Sequence, residues 1–556
     1  MTLSPTHLSH LLEFNLSPVL DARRKSLAHR GLIAPRSIKR VWMLTFELAP
    51  IVKLGGLGEA VYLYAKSLSQ EGIEVTVLMP SHGRHLDLGV RARYGLKPLD
   101  FAACGSRRGV DGNKYDYCLG AEEAFIDNFR VVLFKGLDYS TGVVFDSWSP
   151  YSYVEEKAAL LARAVRAFSW TEVQPDIIHM NDWHTVLAGV ALRDEFEKRG
   201  YAIPLLYTIH LSGSPSFPWH YASSDWAGLD DSPHLVWKVY RHEPVSNRNA
   251  WDSVGGNVEA FGVIEADTLQ TVSYSYLNEE LKRKYGDWIG SKSCVVYNAT
   301  DWSLEEVERW IKSSYGTIDR QVLFEIIDKY IRPGSWTDDI DKRLAPFLIA
   351  GRLTSQKGID LAIRALDYAP SASLVVLGIP VGDYGYEQYV RRLAEERRGR
   401  VIISANRLPN EVYRALVRLS TSMLAPSRWE PFGLVAAESL SLGTPVIATA
   451  VGGLKEIVVD VRSGKGDGLL VRPEDPHELG LAMESMTHIM WDHDVERIPI
   501  ERLRSMAQSE PTLDSYIREF AINDVNNRFR PKSAAAQLLS CYDKARQMAY
   551  YKAITT

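Results

Sequence analysis

Short apolar runs rich in β-branched residues recur along this chain with helical patterns between most of them, and no other feature restricts the fold as strongly. In order they read VWMLTFEL, VTVLMP, RVVLFKGL, DIIHMND, PLLYTIHL, TLQTVS and SCVVYN. A typical intervening pattern is EAVYLYAKSLSQEG, where Val61, Leu63, Tyr64, Ala65 and Leu68 make an apolar stripe that ends near Gly72. Strand, helix, strand in sequence predicts a parallel sheet with both faces covered. The alternation stops between Asn298 and Ala345, where DWSLEEVERWIKSSYG and RQVLFEIIDKYI predict helices ahead of the turn-rich RPGSWTDD. A second series follows: PFLIAGRL, SLVVLGIP, RVIISANR, TSMLAPS, PVIATAV and GLLVRPE. Two doubly wound α/β halves are the economical solution, with ligands at the carboxyl ends of the strands in a cleft between them. The last segment, PKSAAAQLLSCYDKARQMAYYKA, predicts a helix packing across both halves.

Composition narrows the function classes. A chain of 556 residues is too long for one core. With 24% charged residues, a net charge of -5, a pI near 6.3 and no run of five like charges, it has no electrostatic footprint for nucleic acid or an acidic membrane. Any anionic ligand must therefore meet a local site. Cys104, Cys118, Cys294 and Cys541 lie far apart without a CxxC or zinc-finger spacing, which predicts four reduced thiols and no structural zinc. No apolar run approaches eighteen residues, and MTLSPTHLSHLLEF lacks the features of a signal peptide, so the expected location is cytoplasmic.

The stretch from Ala425 to Ile457, APSRWEPFGLVAAESLSLGTPVIATAVGGLKEI, holds Glu430 and Glu438 among mostly apolar neighbours. TSMLAPS reads as a buried strand, RWEPFG as its turn, and LVAAESLSLG as the following helix, with Pro431 at an early helical position and Gly443 past the end. Backbone N–H groups around Phe432, Gly433 and Leu434 then lack an intrahelical partner, Glu430 stands on the entry loop, and Glu438 lies one turn deeper. Both carboxylates suit a ligand with many hydroxyls, such as a sugar or ribose. Capping is the bland reading of one such Glu; the Glu-x7-Glu spacing around PFGL is more specific.

A second candidate is GRLTSQKGID, after the strand PFLIA. Arg352 and Lys357 are five apart across a turn, and Gly351 and Gly358 permit tight geometry. Two cations at a strand's carboxyl end suit a diphosphate, Arg gripping bidentately and Lys acting as a point charge. A third is FELAPIVKLGGLGEAV, where Gly55, Gly56 and Gly58 let the backbone approach a ligand and Lys53 adds a positive charge. That loop is neither GxGxxG nor GxxxxGK[ST]. Two further polar strand ends are IIHMNDWH, with Asp182 and His184, and YTIHLSG, with His210. His82, His85, His179 and His184 have no metal-ligand spacing, so no metal is expected. Asp339 and Asp341 in TDDID precede a strand instead of following one and read as a solvated turn. Among the 14 Trp and 27 Tyr, PSFPWHY and DWAGL offer rings that stack on a glucan, against core packing as the ordinary role.

Taken together, KLGGLGEAV, HMNDWH, YTIH, TLQTVSYSY, GRLTSQKGIDL, EPFGL and VGGLKEI occur in an order that resembles the starch and glycogen synthases, retaining glycosyltransferases of the GT-B fold, over almost the whole chain after about Arg36. The resemblance implies two doubly wound Rossmann-like domains facing a cleft, with a C-terminal helix crossing back to the first. The corresponding boundaries are an extension over 1–36, an acceptor-side domain over 37–298, a nucleotide-sugar domain over 299–525 and the returning helix over 526–556. It implies transfer of glucose from a nucleoside diphosphate glucose to the 4-hydroxyl of an α-1,4-glucan, with no cofactor and no metal. By position, Arg352 and Lys357 match the diphosphate-binding pair, and Lys53, Gly55 and Gly56 the loop over phosphate and sugar. His210 matches the catalytic-site histidine, and Glu430 with the amides of Gly433 and Leu434 the motif that holds the glucose hydroxyls. Gly452 and Gly453 match a second glycine loop near the diphosphate, and Asp182 an acceptor or sugar-side position. Glu438, an acid shared with the archaeal synthases, matches a ribose-binding position and leaves ADP-glucose and UDP-glucose both open. LSGSPSFPWHY replaces the family's N-L-A-Y-Q-G, and VYNAT its V-P-N-G, so the acceptor is the least constrained partner. Nucleic acid and membrane are not expected partners, and a homo-oligomer is left open. Retention by a covalent intermediate or by attack on the leaving-group face is also open. Rival readings are a GT-B enzyme making sucrose, trehalose or a small glucoside, a sugar-nucleotide epimerase, and a non-catalytic glucan-binding protein.

Overall fold

The computed structural model describes residues 31–238, 241–337 and 339–555. Most of the expected N-terminal extension therefore lies outside the described residues. The chain divides into two compact units. The first takes the chain up to Thr271, then Leu281–Val296 and Ala535–Thr556; the second takes Val272–Glu280 and Tyr297–Ala534.

The first unit is built on a nine-stranded sheet. Its strands are β1 (Arg40–Leu44), β2 (Glu74–Pro80), β3 (Lys97–Arg108), β4 (Lys114–Ile126), β5 (Phe129–Gly136), β6 (Ile177–Asn181) and β7 (Leu205–Ile209). A separate hairpin, β8 (Pro233–Lys238) and β9 (Arg241–Ser246), precedes β10 (Thr268–Thr271) and β11 (Ser293–Val295). The spatial order is β11-β10-β7-β6-β1-β2-β5-β4-β3. All neighbours from β11 to β5 are parallel, whereas β4 pairs antiparallel with both β5 and β3. The wholly parallel sheet expected from the sequence thus carries an antiparallel edge. Its strand KPLDFAACGSRR alternates exposed and part-buried residues, because an edge strand does not need two apolar faces.

Helices cover this sheet for the reason the sequence gives. In α1 (Gly56–Gln70) the residues Leu57, Ala60, Val61, Tyr64, Ala65 and Leu68 recur every three or four positions and are buried. The helix stops where Gly72 takes φ 82°. Further helices are α2 (Val154–Phe168), α3 (Val186–Lys198) and α4 (Val258–Glu265), the last capped by the Asn257 side chain on the amide of Ala260. Val41, Leu44, Val61, Leu68, Val190 and Ile209 are among the side chains with no exposed surface, each contributing about 1.5–3 kcal/mol of hydrophobic stabilisation.

The second unit holds a six-stranded, wholly parallel sheet. Its strands are β12 (Ala345–Arg352), β13 (Ala372–Ile379), β14 (Val401–Ser404), β15 (Ser422–Ala425), β16 (Val446–Thr449) and β17 (Gly468–Val471), in the order β14-β13-β12-β15-β16-β17. The runs Phe347–Ile349 and Leu374–Val376 are buried on both faces, as covered parallel strands require. The helices α5 (Ile359–Ala365), α6 (Leu434–Ser441), α7 (Pro476–Met490) and α8 (Leu513–Arg528) follow. The final helix α9 (Pro531–Thr555) joins the first unit from Ala535 onward.

The expectation of four reduced thiols is overturned. Cys104 and Cys118 stand directly opposite each other in the β3–β4 register and are bonded, and Cys294 on β11 is bonded to Cys541 on α9. Spacing along the chain concealed both pairs, because a hairpin register and a returning helix bring distant residues together. Lys544 on α9 also donates to the carbonyl of Ser293, 2.9 Å away.

Candidate active site

In the parallel part of each sheet the strand order reverses at one place, between β1 and β6 in the first unit and between β12 and β15 in the second. Loops leaving opposite sides of such a point diverge and open a crevice at the carboxyl ends of the strands. Most of the candidate residues singled out in the sequence lie at these strand ends or at those of the neighbouring β7 and β16, with Glu438 on the helix that follows β15.

In the first unit, His210 directly follows β7 and Asp182 directly follows β6. The carboxylate of Asp182 accepts the backbone N–H groups of His210 (2.8 Å) and Leu211 (3.3 Å). Asp182 itself has φ 57° and ψ 168°, a conformation that costs a non-glycine residue on the order of 1–3 kcal/mol. It is held there by these bonds and by its own N–H on the carbonyl of Thr208 at 2.9 Å. Asp182 is 6% exposed, and burial pushes its carboxyl up to about 8 against the two amide bonds that lower it. At neutral pH it is uncharged.

His210 is fixed through its ring as well. The Asn181 amide donates to the carbonyl of Leu44 at 3.0 Å, which turns its oxygen toward Nε2 of His210, also 3.0 Å away. Nε2 therefore carries the proton, and Nδ1 keeps a lone pair with no donor among the described residues. Burial lowers the imidazole to about 3, so it stays neutral. Tyr64 packs on the ring with centroids 6.2 Å apart. Beneath lies a buried polar chain: Tyr542 hydroxyl to His179 Nδ1 (2.9 Å), His179 Nε2–H to Thr208 (2.7 Å), Thr208 hydroxyl to Gln270 (2.7 Å), and Gln270 amide to the Tyr64 oxygen (3.1 Å). Every link is satisfied, so His179 is a structural histidine.

The glycine loop after β1 is organised by Glu47, a residue the sequence reading passed over. Its Oε2 accepts the N–H groups of Leu54 (2.7 Å) and Gly55 (3.0 Å), and its Oε1 accepts the hydroxyl of Tyr151. The amide of Gly55 is thus already engaged within the loop. A side chain at Gly55 would meet nothing within 4 Å, so its bareness answers no packing need inside the protein. Lys53 pairs with Glu59 at 2.6 Å and is 45% exposed. The signal for Glu47 was present: a carboxylate inside VWMLTFELAP, buried to 2%.

In the second unit, the loops after β12, β15 and β16 meet. Lys357 Nζ lies 2.5 Å from Oε2 of Glu430, which also accepts the hydroxyl of Ser427 at 3.3 Å. Arg352 has no acidic partner among the described residues; its guanidinium bonds Gln356 at 3.2 Å, and Gln356 in turn donates to the carbonyl of Trp429 at 3.0 Å. Arg428, by contrast, is forked onto Asp360 through two 2.9 Å bonds and is neutralised. Two glycines are demanded by close approach. A Cβ on Gly358 (φ 63°) would stand 1.9 Å from the carbonyl oxygen of Pro426, and one on Gly452 (φ 45°) 1.9 Å from that of Glu430. The amide of Gly453 donates to the same Glu430 carbonyl at 2.9 Å. Gly452 and Gly453 therefore buttress the Glu430 loop.

Helix α6 begins at Leu434 behind Gly433, whose φ is 110°. Pro431 consequently sits in the loop and not at the early helical position expected for it; its carbonyl accepts the Ser273 hydroxyl at 2.6 Å. The amides of Gly433, Leu434 and Val435 have no acceptor among the described residues, and such a terminus favours negative charge. Glu438 lies one turn along α6, and its carboxylate adds to the burial that raises the Tyr413 hydroxyl.

The structure thus brings Arg352, Lys357, Glu430, Gly433, Leu434, Gly452 and Gly453 together in the second unit, and Asp182 with His210 in the first. Among the described residues no cluster of His, Cys, Asp and Glu has the makings of a metal site. His82 and His85 bond Phe46 and Ser81, while His184 packs on Phe46 and Trp183. Asp339 and Asp341 pair with Arg332 and Arg343 at the surface. No helix among the described residues is long and apolar enough to cross a membrane.

Residues 40–291 match the family described as the starch synthase catalytic domain, and residues 337–492 match glycosyl transferases group 1. Glycogen synthase of Thermotoga maritima is 25% identical over 468 residues, covering 81% of this chain and 92% of that protein. The solved catalytic domain of Starch Synthase IV from Arabidopsis thaliana, bound to ADP and acarbose, superposes with a TM-score of 0.66 at 18% identity, over 92% of this chain and all of that one. Anabaena HepE, solved with UDP and glucose, gives a TM-score of 0.51 at 15% identity, over 90% of this chain and 98% of that one. With two Rossmann-like units and these matches along most of its length, the chain is a glycosyltransferase of the GT-B fold, similar to the starch and glycogen synthases.

Proposed function

We propose that the protein lengthens an α-1,4-glucan, transferring glucose from ADP-glucose or UDP-glucose to the 4-hydroxyl at the non-reducing end with the α configuration kept. The observation that carries this reading is the uncompensated cation Arg352 beside the Lys357–Glu430 pair and the open amides of Gly433 and Leu434. This arrangement suits a diphosphate attached to a polyhydroxylated group.

In this reading Lys357 leaves Glu430 for the diphosphate, and Glu430, so released, accepts glucose hydroxyls. Arg352, Lys357 and the helix amides offset the charge that grows on the departing nucleoside diphosphate as the glycosidic bond breaks. Lys53 and the bare backbone at Gly55 and Gly56 cover phosphate and sugar. His210 offers the Nδ1 lone pair to a glucose hydroxyl, and its neutrality keeps a second cation away from the oxocarbenium-like carbon. Asp182 sets the His210 backbone and lies on the acceptor side. Glu438 receives ribose hydroxyls, a contact common to both nucleotides, so base preference rests on other groups.

The test is incubation with ADP-glucose and UDP-glucose separately, with and without glycogen, reading released nucleoside diphosphate and chain length. The expected result is glucan-dependent release with longer α-1,4 chains. Accumulation of one disaccharide, or turnover without an acceptor, would replace this reading by a small-glucoside transferase or an epimerase.

A further inference from the structure

The loop that follows His210 builds a second concave site in the first unit. A cavity of about 330 Å³ opens among Phe217, Trp219, Trp251, Asp252, Gly255 and Gly256. Its wall is rigid. Trp251 is 1% exposed, and its indole N–H donates to the carbonyl of Phe217 at 3.0 Å. The Phe217 ring lies against it at 5.8 Å and an interplanar angle of 33°, and Trp219 meets it edge-on at 6.2 Å. The floor is a turn of two left-handed glycines. Gly256 (φ 72°) passes so near Phe217 that a Cβ would stand 2.1 Å from its carbonyl, while a Cβ on Gly255 (φ 59°) would meet nothing within 4 Å. Glycine is required on one side by contact, and on the other it leaves the cavity unobstructed.

The loop is also pinned from behind. Ser212 and the amide of Gly213 donate to the buried Glu259 (2.6 and 2.7 Å), and Ser214 bonds Asn257 at 3.0 Å. The site therefore exists before any ligand arrives. Asp252 supplies the polar edge: its carboxylate is 58% exposed, and among the described residues its one ion-pair partner is Arg248 at 3.6 Å.

We infer that this cavity binds glucosyl units of the α-glucan acceptor, at residues separate from those assigned to transfer. A pyranose presents one face of C–H groups, which packs on an aromatic ring, and a rim of vicinal hydroxyls, which donate to a carboxylate; Phe217, Trp219 and Asp252 provide that combination. An anionic ligand is disfavoured by Asp252, and a purely apolar one leaves its carboxylate unused. The tract PSFPWHY, replacing the family's usual segment after T-I-H, thereby acquires a role beyond core packing. The inference rests on the glucan-synthase reading for the identity of the sugar.

The experiment measures maltoheptaose binding and retardation in a glycogen-containing native gel for the full chain and for Trp219→Ala and Asp252→Ala. Binding of ADP and UDP serves as the control for an intact fold. Loss of one stacking ring is expected to weaken maltoheptaose about tenfold and to abolish most of the retardation, with nucleotide binding unchanged. Should Trp219→Ala fail to fold, Asp252→Ala on the exposed rim decides by the same readouts. Wild-type maltoheptaose affinity in the soluble variants, with glucan elongation intact, overturns the cavity assignment alone. Absence of elongation in the wild-type chain, with maltoheptaose binding that the variants lose, overturns the synthase reading and leaves the cavity as a glucan site.

Discussion

The two switch points use opposite electrostatics. At the end of β6 and β7 the side chains are buried and uncharged: His210 lowered to about 3, Asp182 raised to about 8, and His179 held neutral in a closed polar chain. At the end of β12 and β15 the groups are charged and partly open, with Lys357 on Glu430 at 2.5 Å and Arg352 free of any carboxylate among the described residues. A neutral, rigid set of donors and acceptors discriminates hydroxyls. A set with surplus positive charge, part of it only provisionally paired, receives an anion. In the proposed reading the same architecture supplies two recognition chemistries, and the difference arises from residues at the strand ends and in the loops after them.

This contrast is most exposed to failure at Lys357. Its replacement by Ala should remove about 2.7–4 kcal/mol of transition-state stabilisation, on the order of one oxyanion-hole donor, seen as a fall in kcat with the fold intact by circular dichroism. The units should also differ under reducing agent, because all four cysteines are bonded within the first. Cys541→Ser should lower stability by about 2–4 kcal/mol, measured by denaturant unfolding, and hydrogen exchange should place the loss in β11 and α9.

A finer probe is Asp182. Because it is uncharged at neutral pH and works through two backbone amides, Asp182→Asn should keep most of the activity. Asp182→Ala loses both acceptor bonds and the tolerance for φ 57°, about 1–3 kcal/mol, read as kcat/KM with glycogen. If Asn and Ala are equally damaging, the carboxylate's charge matters and the neutral picture of this site is wrong.

The smallest net effect is in pH, because groups of opposite sign partly cancel. His210 and His184 sit near 3 in the folded chain, below the ordinary 6.5 of an exposed imidazole, with burial as the cause. The unfolded chain therefore binds more protons between those values, and first-unit stability falls as pH drops from about 6.5, by roughly 1.4 kcal/mol per pH unit for each such group. Asp182, raised to about 8, Asp146, raised to about 6, and Asp194 and Asp267, also raised by burial, act in the opposite direction, and these four are outnumbered by the six histidines lowered by burial, His82, His85, His179, His184, His210 and His242. In the second unit Asp467, raised by burial to about 7, gains stability on acidification over the same range. Hydrogen exchange at pH 5 against pH 7, corrected for intrinsic rates, should loosen β6 and β7 before β12 and β15.

Much of this was legible in the sequence because parallel strands covered on both faces advertise themselves as apolar runs, and the loops after them carried the candidate residues. The antiparallel edge β3–β4 and the hairpin β8–β9 were not legible, since half-exposed strands lack that pattern. Glu47 was hidden because its value lies in two amides several residues away. The disulfides depended on a register and a returning helix, neither of which spacing reveals. Pro431 was placed inside a helix by a positional preference that the left-handed Gly433 overrides.

The division of labour between the two switch points is tested most directly by calorimetric titration of ADP and UDP into Lys357→Ala and His210→Gln. Lys357→Ala is predicted to lose affinity for the nucleoside diphosphate, and His210→Gln to bind it like the wild-type chain while losing glucose transfer. Equal loss of nucleotide affinity in both, or none in Lys357→Ala, would contradict the account.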